Sequence, residues 1–166
     1  MRTTTINVLL ADDDIDDCSF FKEALEKLSI DATLNFVHDG EQLMSYLKEE
    51  RTALPDVLFL DLNMHRKNGF ECLEEIKKSS LLKNLPVIVF STSFDQERVD
   101  KLYESGAQYF MRKPPQFPQL MISISQALVL ISGDIETATR VSKSEGIISQ
   151  PSREKFVLNS QSGQPS

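Results

Sequence analysis

The sequence predicts an α/β fold with a parallel, doubly wound sheet of five strands, and three observations support this prediction. Short apolar runs typical of strands alternate with segments whose apolar residues recur at helical spacing. Two of the runs, at 57–60 and 87–90, are apolar throughout, as expected for strands buried on both faces. The connections between successive elements are short, which favours right-handed strand–helix–strand units.

The first elements are two strands that alternate with two helices. Residues 6–11 form the first predicted strand, and apolar side chains at helical spacing follow from about 15 to 28. Residues 33–37 form the second strand. Asp39 and Gln42 then match a capping box with Asp in the place of Ser or Thr, which predicts the start of the second helix.

The remaining elements continue this alternation. Three further strands are predicted at 57–60, 87–90 and 108–112. An amphipathic pattern follows each of them: the first begins near Phe70, the second ends at Gly106, and the third runs from 117 to 131. Five strand–helix pairs therefore predict one domain over residues 5–132.

The composition is that of an acidic globular protein. The chain has 166 residues and a formal net charge of −7, with a pI near 4.9. An acidic surface repels phosphate groups, which argues against direct nucleic-acid binding. No stretch approaches the ~20 apolar residues that span a bilayer, and the N-terminal residues do not resemble a signal peptide. Cys18 and Cys72 have no partner nearby in sequence, so we expect reduced, buried thiols in a cytoplasmic protein.

The character of the sequence changes after residue 132. Residues 133–166 are rich in serine and show little periodicity, so we expect a tail that is largely disordered. One apolar cluster, at 156–158, interrupts the tail. The simpler interpretation is a chance hydrophobic patch, and the alternative is a short segment that docks on the domain or on a partner.

Polar residues follow four of the five predicted strands at the point where each strand ends. They are Asp12 and Asp13 after the first strand, Asp61 after the third, Ser91 and Thr92 after the fourth, and Lys113 after the fifth. The carboxyl ends of parallel strands lie at one edge of a sheet, which is where ligands bind in such folds. We therefore expect three acids, a hydroxyl pair and one ammonium to meet there.

These residue types predict a metal-assisted phosphoryl acceptor. Carboxylates in close contact repel unless one is protonated or a cation is bound, and an all-oxygen donor set favours Mg²⁺ over zinc. The Asp61 carboxylate is a candidate nucleophile that would form an acyl phosphate. Lys113 and a hydroxyl from Ser91 would then stabilise the phosphoryl oxygens.

Simpler interpretations exist for some of these residues. Asp12 and Asp13 could cap the following helix, although Asp14 or Asp16 can satisfy that need alone. The acidic run could also suggest a calcium loop, but the glycine and the terminal glutamate of such a loop are missing. The two histidines, His38 and His65, are expected to be exposed residues without a role in the site.

The same residues carry a resemblance to a known family. Over residues 5–132 the chain resembles the receiver domain of two-component response regulators. The matching motifs are Asp12-Asp13, Asp61-Leu62-Asn63-Met64 with Gly69, Ser91-Thr92, and Lys113-Pro114. The resemblance implies a flavodoxin-like (βα)5 fold with strand order 2-1-3-4-5. In that order strands one and three are neighbours, which brings Asp12 and Asp13 beside Asp61.

The resemblance also implies a role for each site residue. Asp61 would accept a phosphoryl group from a phosphohistidine on a sensor histidine kinase or a histidine phosphotransfer protein. Asp13, Asp61 and the backbone carbonyl of Asn63 would bind Mg²⁺, and Asp12 would act through water. Lys113 would pair with the phosphoryl group.

A switch to a second conformation is implied as well. Ser91 would move toward the phosphoryl group, Thr92 would line the pocket, and the ring of Phe110 would turn inward in response. The Lys113–Pro114 peptide bond is typically cis in the family. His65 stands where the family usually has proline, which suggests a more mobile loop, and Ser91 stands for the commoner threonine.

The predicted function is a stand-alone signalling switch that acts on a downstream protein by contact and is not a turnover enzyme. It could instead pass the phosphoryl group onward as a relay intermediate. A Mg²⁺-dependent phosphohydrolase would need a second carboxylate just past the nucleophile, where Asn63 stands. An FMN-binding protein on the same fold is disfavoured because the acidic loop would repel the flavin phosphate.

Overall fold

Five strands and five helices alternate along the domain, and two short strands follow them. The computed structural model describes residues 5–49, 53–92 and 95–132, and the strands at 147–150 and 155–158. The strands are β1 Ile6–Ala11, β2 Ala32–Val37, β3 Val57–Leu60, β4 Val87–Ser91, β5 Tyr109–Arg112, β6 Ile147–Gln150 and β7 Lys155–Leu158. The helices are α1 Ile15–Lys27, α2 Gly40–Lys48, α3 Gly69–Lys78, α4 Gln96–Glu104 and α5 Phe117–Ser132.

The sheet confirms the predicted order of the first five strands. These strands are parallel and lie in the order β2-β1-β3-β4-β5. Ala11, the last residue of β1, pairs with Val37 on one side and with Leu60 on the other. Because β1 and β3 end in register, the residues that follow them are placed side by side.

Two strands that the sequence did not predict extend the sheet at β5. Strand β7 pairs in parallel with β5, and β6 pairs antiparallel with β7. Both belong to the segment 133–166, which we expected to be largely disordered with one apolar cluster at 156–158, and β7 includes that cluster. The edge of β5 would otherwise present unpaired backbone groups, which is the kind of surface that an extended segment can cover. The rest of 133–166 lies outside the described residues, and disorder there stays a prediction.

Alternate side chains of the buried strands pack into two separate cores. Leu58 and Leu60 of β3 face one side of the sheet, which α2, α3 and α4 cover. Phe59 faces the other side and meets Phe21 of α1, with ring centroids 4.9 Å apart. Burial on both faces explains the unbroken apolar runs, since a strand with one wet face would alternate.

Side chains at the helix starts fix where each loop ends. Asp14 accepts hydrogen bonds from the backbone N–H groups of Asp16 and Asp17 and caps α1, so Asp12 and Asp13 are left for other roles. Asp39 caps α2 by accepting from the N–H of Gln42, as predicted. The second hydrogen bond of a capping box differs here. The Gln42 side chain accepts from the backbone N–H of His38 rather than from that of the capping residue, Asp39.

Candidate metal and phosphoacceptor site

Three carboxylates meet at the carboxyl edge of β1 and β3. The backbone N–H of Asp61 donates to the carbonyl of Ala11 at 2.9 Å, which continues the pairing of the two strands past their ends. Asp12, Asp13 and Asp61 each offer one oxygen, and these oxygens all lie within 4.8 Å of one another. Asp12 is 0% exposed and Asp61 is 5% exposed, whereas Asp13 is half-buried. The sequence-predicted acids are therefore brought together.

Lys113 lies among these acids and is itself buried. Its Nζ is 2.7 Å from Oδ2 of Asp12, 2.9 Å from Oδ2 of Asp17 and 3.7 Å from Oδ1 of Asp61. The same ammonium lies 5.3 Å from the ring centroid of Phe90, a cation–π contact. One cation thus faces three carboxylates, and the site as a whole retains an excess of negative charge.

The burial of Asp61 changes its acidity. Removal from water raises the pKa of Asp61 to about 7, and the nearby Asp12 charge acts in the same direction. The attraction of Lys113 and a hydrogen bond from the backbone N–H of Asn63 oppose this rise. A carboxyl with such a pKa is partly protonated at neutral pH, so a bound cation would favour its ionised, nucleophilic form.

Asp12 and Lys113 respond to burial in different ways. Burial raises the pKa of Asp12, against the attraction of its single lysine partner. Burial alone would lower the pKa of Lys113, but its hydrogen bonds to Asp12 and Asp17 and the attraction of the Asp61 charge outweigh that effect, and the net pKa is raised. Lys113 therefore stays charged, and it holds one oxygen of Asp12 in place.

The donor set fits a hard divalent cation. Three carboxylates within reach of one another supply the oxygen ligands and the negative charge that Mg²⁺ and Mn²⁺ prefer. Asn63 follows in the loop after β3 and is exposed, with its backbone already bonded to Asp61. The acids alone cannot provide a full octahedral shell, so positions would remain for water and for phosphoryl oxygens.

The hydroxyl residues at the end of β4 differ from each other in burial. Ser91 is the last residue of β4 and is 0% exposed. Its carbonyl accepts a hydrogen bond of 2.8 Å from the backbone N–H of Lys113, which ties the end of β4 to the lysine. Thr92, one residue later, is exposed. Ser91 is thus built into the site edge, whereas Thr92 lies at its surface.

Phe110 points into the core on the α4 side of the sheet. Its side chain is 1% exposed and packs in the same core as Leu102 and Tyr103. The backbone N–H of Phe110 donates to the hydroxyl of Tyr103 at 3.1 Å. The Phe110 ring is therefore already turned into the core, the orientation that was expected to follow phosphorylation.

Two contacts of the site were not predicted from the sequence. Asp17 binds Lys113 from the first turn of α1, and its closeness in sequence to Asp12 was the available signal. His65 is exposed as expected, with 86% of its side chain accessible, and its Nδ1 lies 2.8 Å from Oδ2 of Asp13, a contact that was not predicted. No residue spacing signals that contact, because it depends on how the loop after β3 folds back.

Two further expectations concern the Lys113–Pro114 peptide bond and the loop after β3. The expected cis bond at Lys113–Pro114 is not found, since none of the described peptide bonds is cis. The trans form is the intrinsically favoured one for X–Pro bonds, by roughly 0.5–1 kcal/mol. The loop that carries His65 forms ion pairs with α2 and α3 through Arg66 and Lys67, and its greater mobility stays a prediction.

Comparison with known proteins agrees with this geometry. Residues 8–125 match the family described as the response regulator receiver domain. The response regulator Rcp1 of Synechocystis is 34% identical over 110 residues, which cover 64% of this chain and 75% of Rcp1. The crystal structure of the Mn²⁺-bound form of Rcp1 matches with a TM-score of 0.67 at 30% identity, over 75% of this chain and 91% of that chain.

A second solved structure is similar over a larger share of the chain. The phosphorylated cyanobacterial phytochrome response regulator RcpA matches with a TM-score of 0.72 at 27% identity, over 79% of this chain and 96% of that chain. In the described part of this chain, no helix combines the length and the apolarity needed to cross a membrane.

The matched family determines the class of function. Receiver domains are phosphorylated on an aspartate, bind Mg²⁺ or Mn²⁺ at an acidic site, and interact with histidine kinases or phosphotransfer proteins. The relatives are signalling response regulators and not phosphohydrolases, which removes that alternative. With the predicted strand order and the three carboxylates in place, the chain belongs to the response regulator receiver domain family.

Proposed function

We propose that Asp61 is the aspartate that accepts the phosphoryl group, from a phosphohistidine of a sensor histidine kinase or a histidine phosphotransfer protein. One observation carries this proposal: the Asp61 carboxylate lies within 4.8 Å of two other carboxylates and 3.7 Å from the ammonium of Lys113. Asp12 has the same neighbours, but it is 0% exposed and both of its oxygens already accept hydrogen bonds, Oδ2 from Lys113 at 2.7 Å and Oδ1 from the backbone N–H of Asp14 at 3.0 Å. After transfer the protein acts on a downstream protein by contact.

The transfer needs little beyond positioning and charge neutralisation. One carboxylate oxygen of Asp61 attacks phosphorus as the phosphorus–nitrogen bond of the phosphohistidine breaks, and the imidazole leaves with the bonding electrons. The product is an acyl phosphate. Lys113, which remains charged, would pair with a phosphoryl oxygen after transfer.

The cation for this site is Mg²⁺ in our proposal. Asp13, Asp61 and the backbone carbonyl of Asn63 would bind it, and Asp12 would hold one of its waters. When bound, Mg²⁺ neutralises the charge that develops on the phosphoryl oxygens. The raised pKa of Asp61 supports a requirement for a cation, because the free site holds this carboxyl partly protonated near pH 7.

The response to phosphorylation would use the end of β4 and the aromatic of β5. Ser91 would donate its hydroxyl proton to a phosphoryl oxygen, and Thr92 would line the opening of the site. Movement of Ser91 would be transmitted to Phe110, which the pairing of β4 with β5 places on the adjacent strand. The two conformations would then present different surfaces to a partner.

The proposed chemistry is a single modification and its reversal, without turnover of a substrate. The family and the acceptor carboxylate support this interpretation. We place the protein in the cytoplasm, which agrees with Cys18 and Cys72 being free and buried.

Treatment with acetyl phosphate and Mg²⁺, followed by the intact mass, tests the proposal. We expect one phosphoryl adduct, lost in alkali as an acyl phosphate should be, and no adduct in Asp61→Asn. Asp56→Asn is a matched control, because Asp56 is also close to β3 but bonds to the backbone of Asn7. An adduct that persists in Asp61→Asn, or that disappears in Asp56→Asn alone, would contradict the assignment.

A further inference from the structure

The loop after β3 contains a strained turn beside the metal site. The backbone N–H of Lys67 donates to the carbonyl of His65 at 2.7 Å, and Arg66 between them has a φ of 68°. Arg66 is the one non-glycine residue with positive φ in the described part of the chain. A bond between residues two apart around such a φ has the form of a γ-turn, which is unfavourable for a residue with a Cβ. Other contacts must therefore hold it.

The first set of contacts comes from the start of α2. The Arg66 guanidinium lies 3.7 Å from Oδ2 of Asp39 and 3.4 Å from Oε1 of Glu41. The backbone of Lys67 packs directly on Gly40, where an added Cβ would overlap the carbonyl of Lys67. The turn thus rests on a helix start that has no room for a side chain.

The second set of contacts comes from α3. Lys67 donates to one carboxylate oxygen of Glu75, and Lys48 of α2 donates to the other oxygen at 2.6 Å. Glu75 is therefore shared between a lysine of the loop and a lysine of a helix. Lys48 and Lys67 are therefore chemically equivalent partners of Glu75, and only Lys67 belongs to the loop.

The turn is connected to the site residues by a short stretch of backbone. The N–H of Gly69 donates to the carbonyl of Leu62 at 3.0 Å, which closes the loop around Asn63 and His65. Asn63 bonds to Asp61 through its backbone N–H, and His65 contacts Asp13. Any displacement of the turn at 65–67 would therefore move groups that touch two of the three clustered acids.

We propose that Arg66 and Lys67 are positioning residues, which hold the strained turn at 65–67 and thereby set the cation affinity of the acidic site. This inference rests on the proposed function, since it concerns the same metal site. In this proposal the ion pairs restrain the loop after β3 in the way that a proline at position 65 would. The pairs are partly exposed, with Lys67 at 29% and Glu75 at 32%, so their effect on affinity is modest.

The sign of the effect separates positioning from simple charge. Removing a positive charge near a cation site raises cation affinity by electrostatics alone. Loss of positioning lowers it, and mutation of residues that orient metal ligands typically costs about 10–100-fold in affinity. For a partly exposed ion pair we expect a loss of affinity at or below the lower end of that range.

Titration with Mn²⁺, followed by the EPR signal of the free ion, measures the affinity directly and without phosphorylation. We expect Lys67→Gln to weaken Mn²⁺ binding about three- to tenfold. Lys48→Gln removes the same charge from the same carboxylate, but from a helix, and should leave the affinity unchanged or slightly higher. Thermal unfolding of both variants verifies that each is folded.

A second pair of variants tests the strained turn itself. Arg66→Ala keeps the cost of the positive φ and loses the ion pairs, whereas Arg66→Gly loses the same pairs but adopts that φ freely. We expect Arg66→Ala to bind Mn²⁺ more weakly than Arg66→Gly. The phosphorylation rate of Arg66→Ala should recover to the wild-type rate at saturating Mg²⁺, because the acceptor is intact.

The outcomes distinguish this inference from the proposed function. If wild-type protein binds no Mn²⁺ and takes no phosphoryl group, the proposed function fails and the inference fails with it. If wild-type protein does both, but Lys67→Gln and Lys48→Gln bind Mn²⁺ equally, only the positioning role is overturned. Equal affinities of the two Arg66 variants would overturn the role of the turn.

Discussion

In the part of the chain that the structure describes, lysine meets carboxylate in two clusters, and these differ mainly in burial. The inner cluster is Lys113 with Asp12, Asp17 and Asp61, in which the side chain of Lys113 is 9% exposed and that of Asp12 is 0% exposed. The outer cluster is Glu75 with Lys48 and Lys67, where the corresponding values for Glu75 and Lys48 are 32% and 59%. The hydrogen-bonded atoms are of the same kind in both clusters.

Lysine lowers the pKa of its carboxyl partner in both clusters, but in the inner cluster burial outweighs that effect. In the outer cluster, hydrogen bonds from Lys48 and Lys67 lower the pKa of Glu75, as an exposed carboxylate beside ammonium groups should behave. In the inner cluster, burial raises the pKa of Asp61 to about 7 despite Lys113. Buried charges that are incompletely neutralised weaken the folded state and favour binding of a cation or a phosphoryl group. The inner cluster is thus suited to chemistry, and the outer one to holding a loop.

The largest expected effect comes from removing the inner lysine. Lys113→Met leaves Asp12 and Asp61 buried without their cation, and breaking a buried pair in this way costs about 3–5 kcal/mol. We expect that loss in the free energy of unfolding in urea at pH 8, without divalent metal. The loss should be smaller at pH 5, where the Asp61 carboxyl is protonated. An equal loss at both pH values would show that lost packing, rather than charge, is the cause.

A smaller effect, of opposite sign, is expected from Asp61→Asn. Because the pKa of Asp61 rises from 3.8 to about 7 on folding, the folded wild-type protein loses stability as the pH rises between those values. The variant lacks this loss, so we expect it to be more stable than wild type by about 1–3 kcal/mol at pH 8 without metal. The advantage should shrink toward pH 4. Urea unfolding across this range measures it, and a constant difference would contradict the raised pKa.

The smallest effect is expected from the outer cluster. Glu75→Gln removes a carboxylate shared by two lysines, but exposed ion pairs contribute little to stability. We expect the thermal midpoint to change by less than about 3 °C, and the change to vanish in high salt. Lys113→Met under the same conditions is the comparison. A change in Glu75→Gln as large as that in Lys113→Met would show that burial does not separate the two clusters.

Much of the fold and of the candidate site could be predicted, because both depend on local pattern. Runs such as Val57–Leu60 indicate buried strands by composition alone, and the residue that ends such a strand lies at the carboxyl edge of the sheet. Asp61 and Lys113 were found in this way. The strand order came from the family resemblance rather than from spacing. The contacts of Asp17 and His65 were missed, since they depend on how a helix and a loop approach the strands.

The sequence by itself determined which residues alternate into strands and helices and which polar groups stand at the strand ends, because these follow from periodicity along one chain segment. Only the tertiary structure decided that Lys113 binds Asp12 and Asp17 more closely than Asp61, and that residues 155–158 pair with β5. It alone also decided that Arg66 adopts a positive φ. Each of these depends on distances between segments far apart in sequence, where competing partners differ by small energies and packing selects among them.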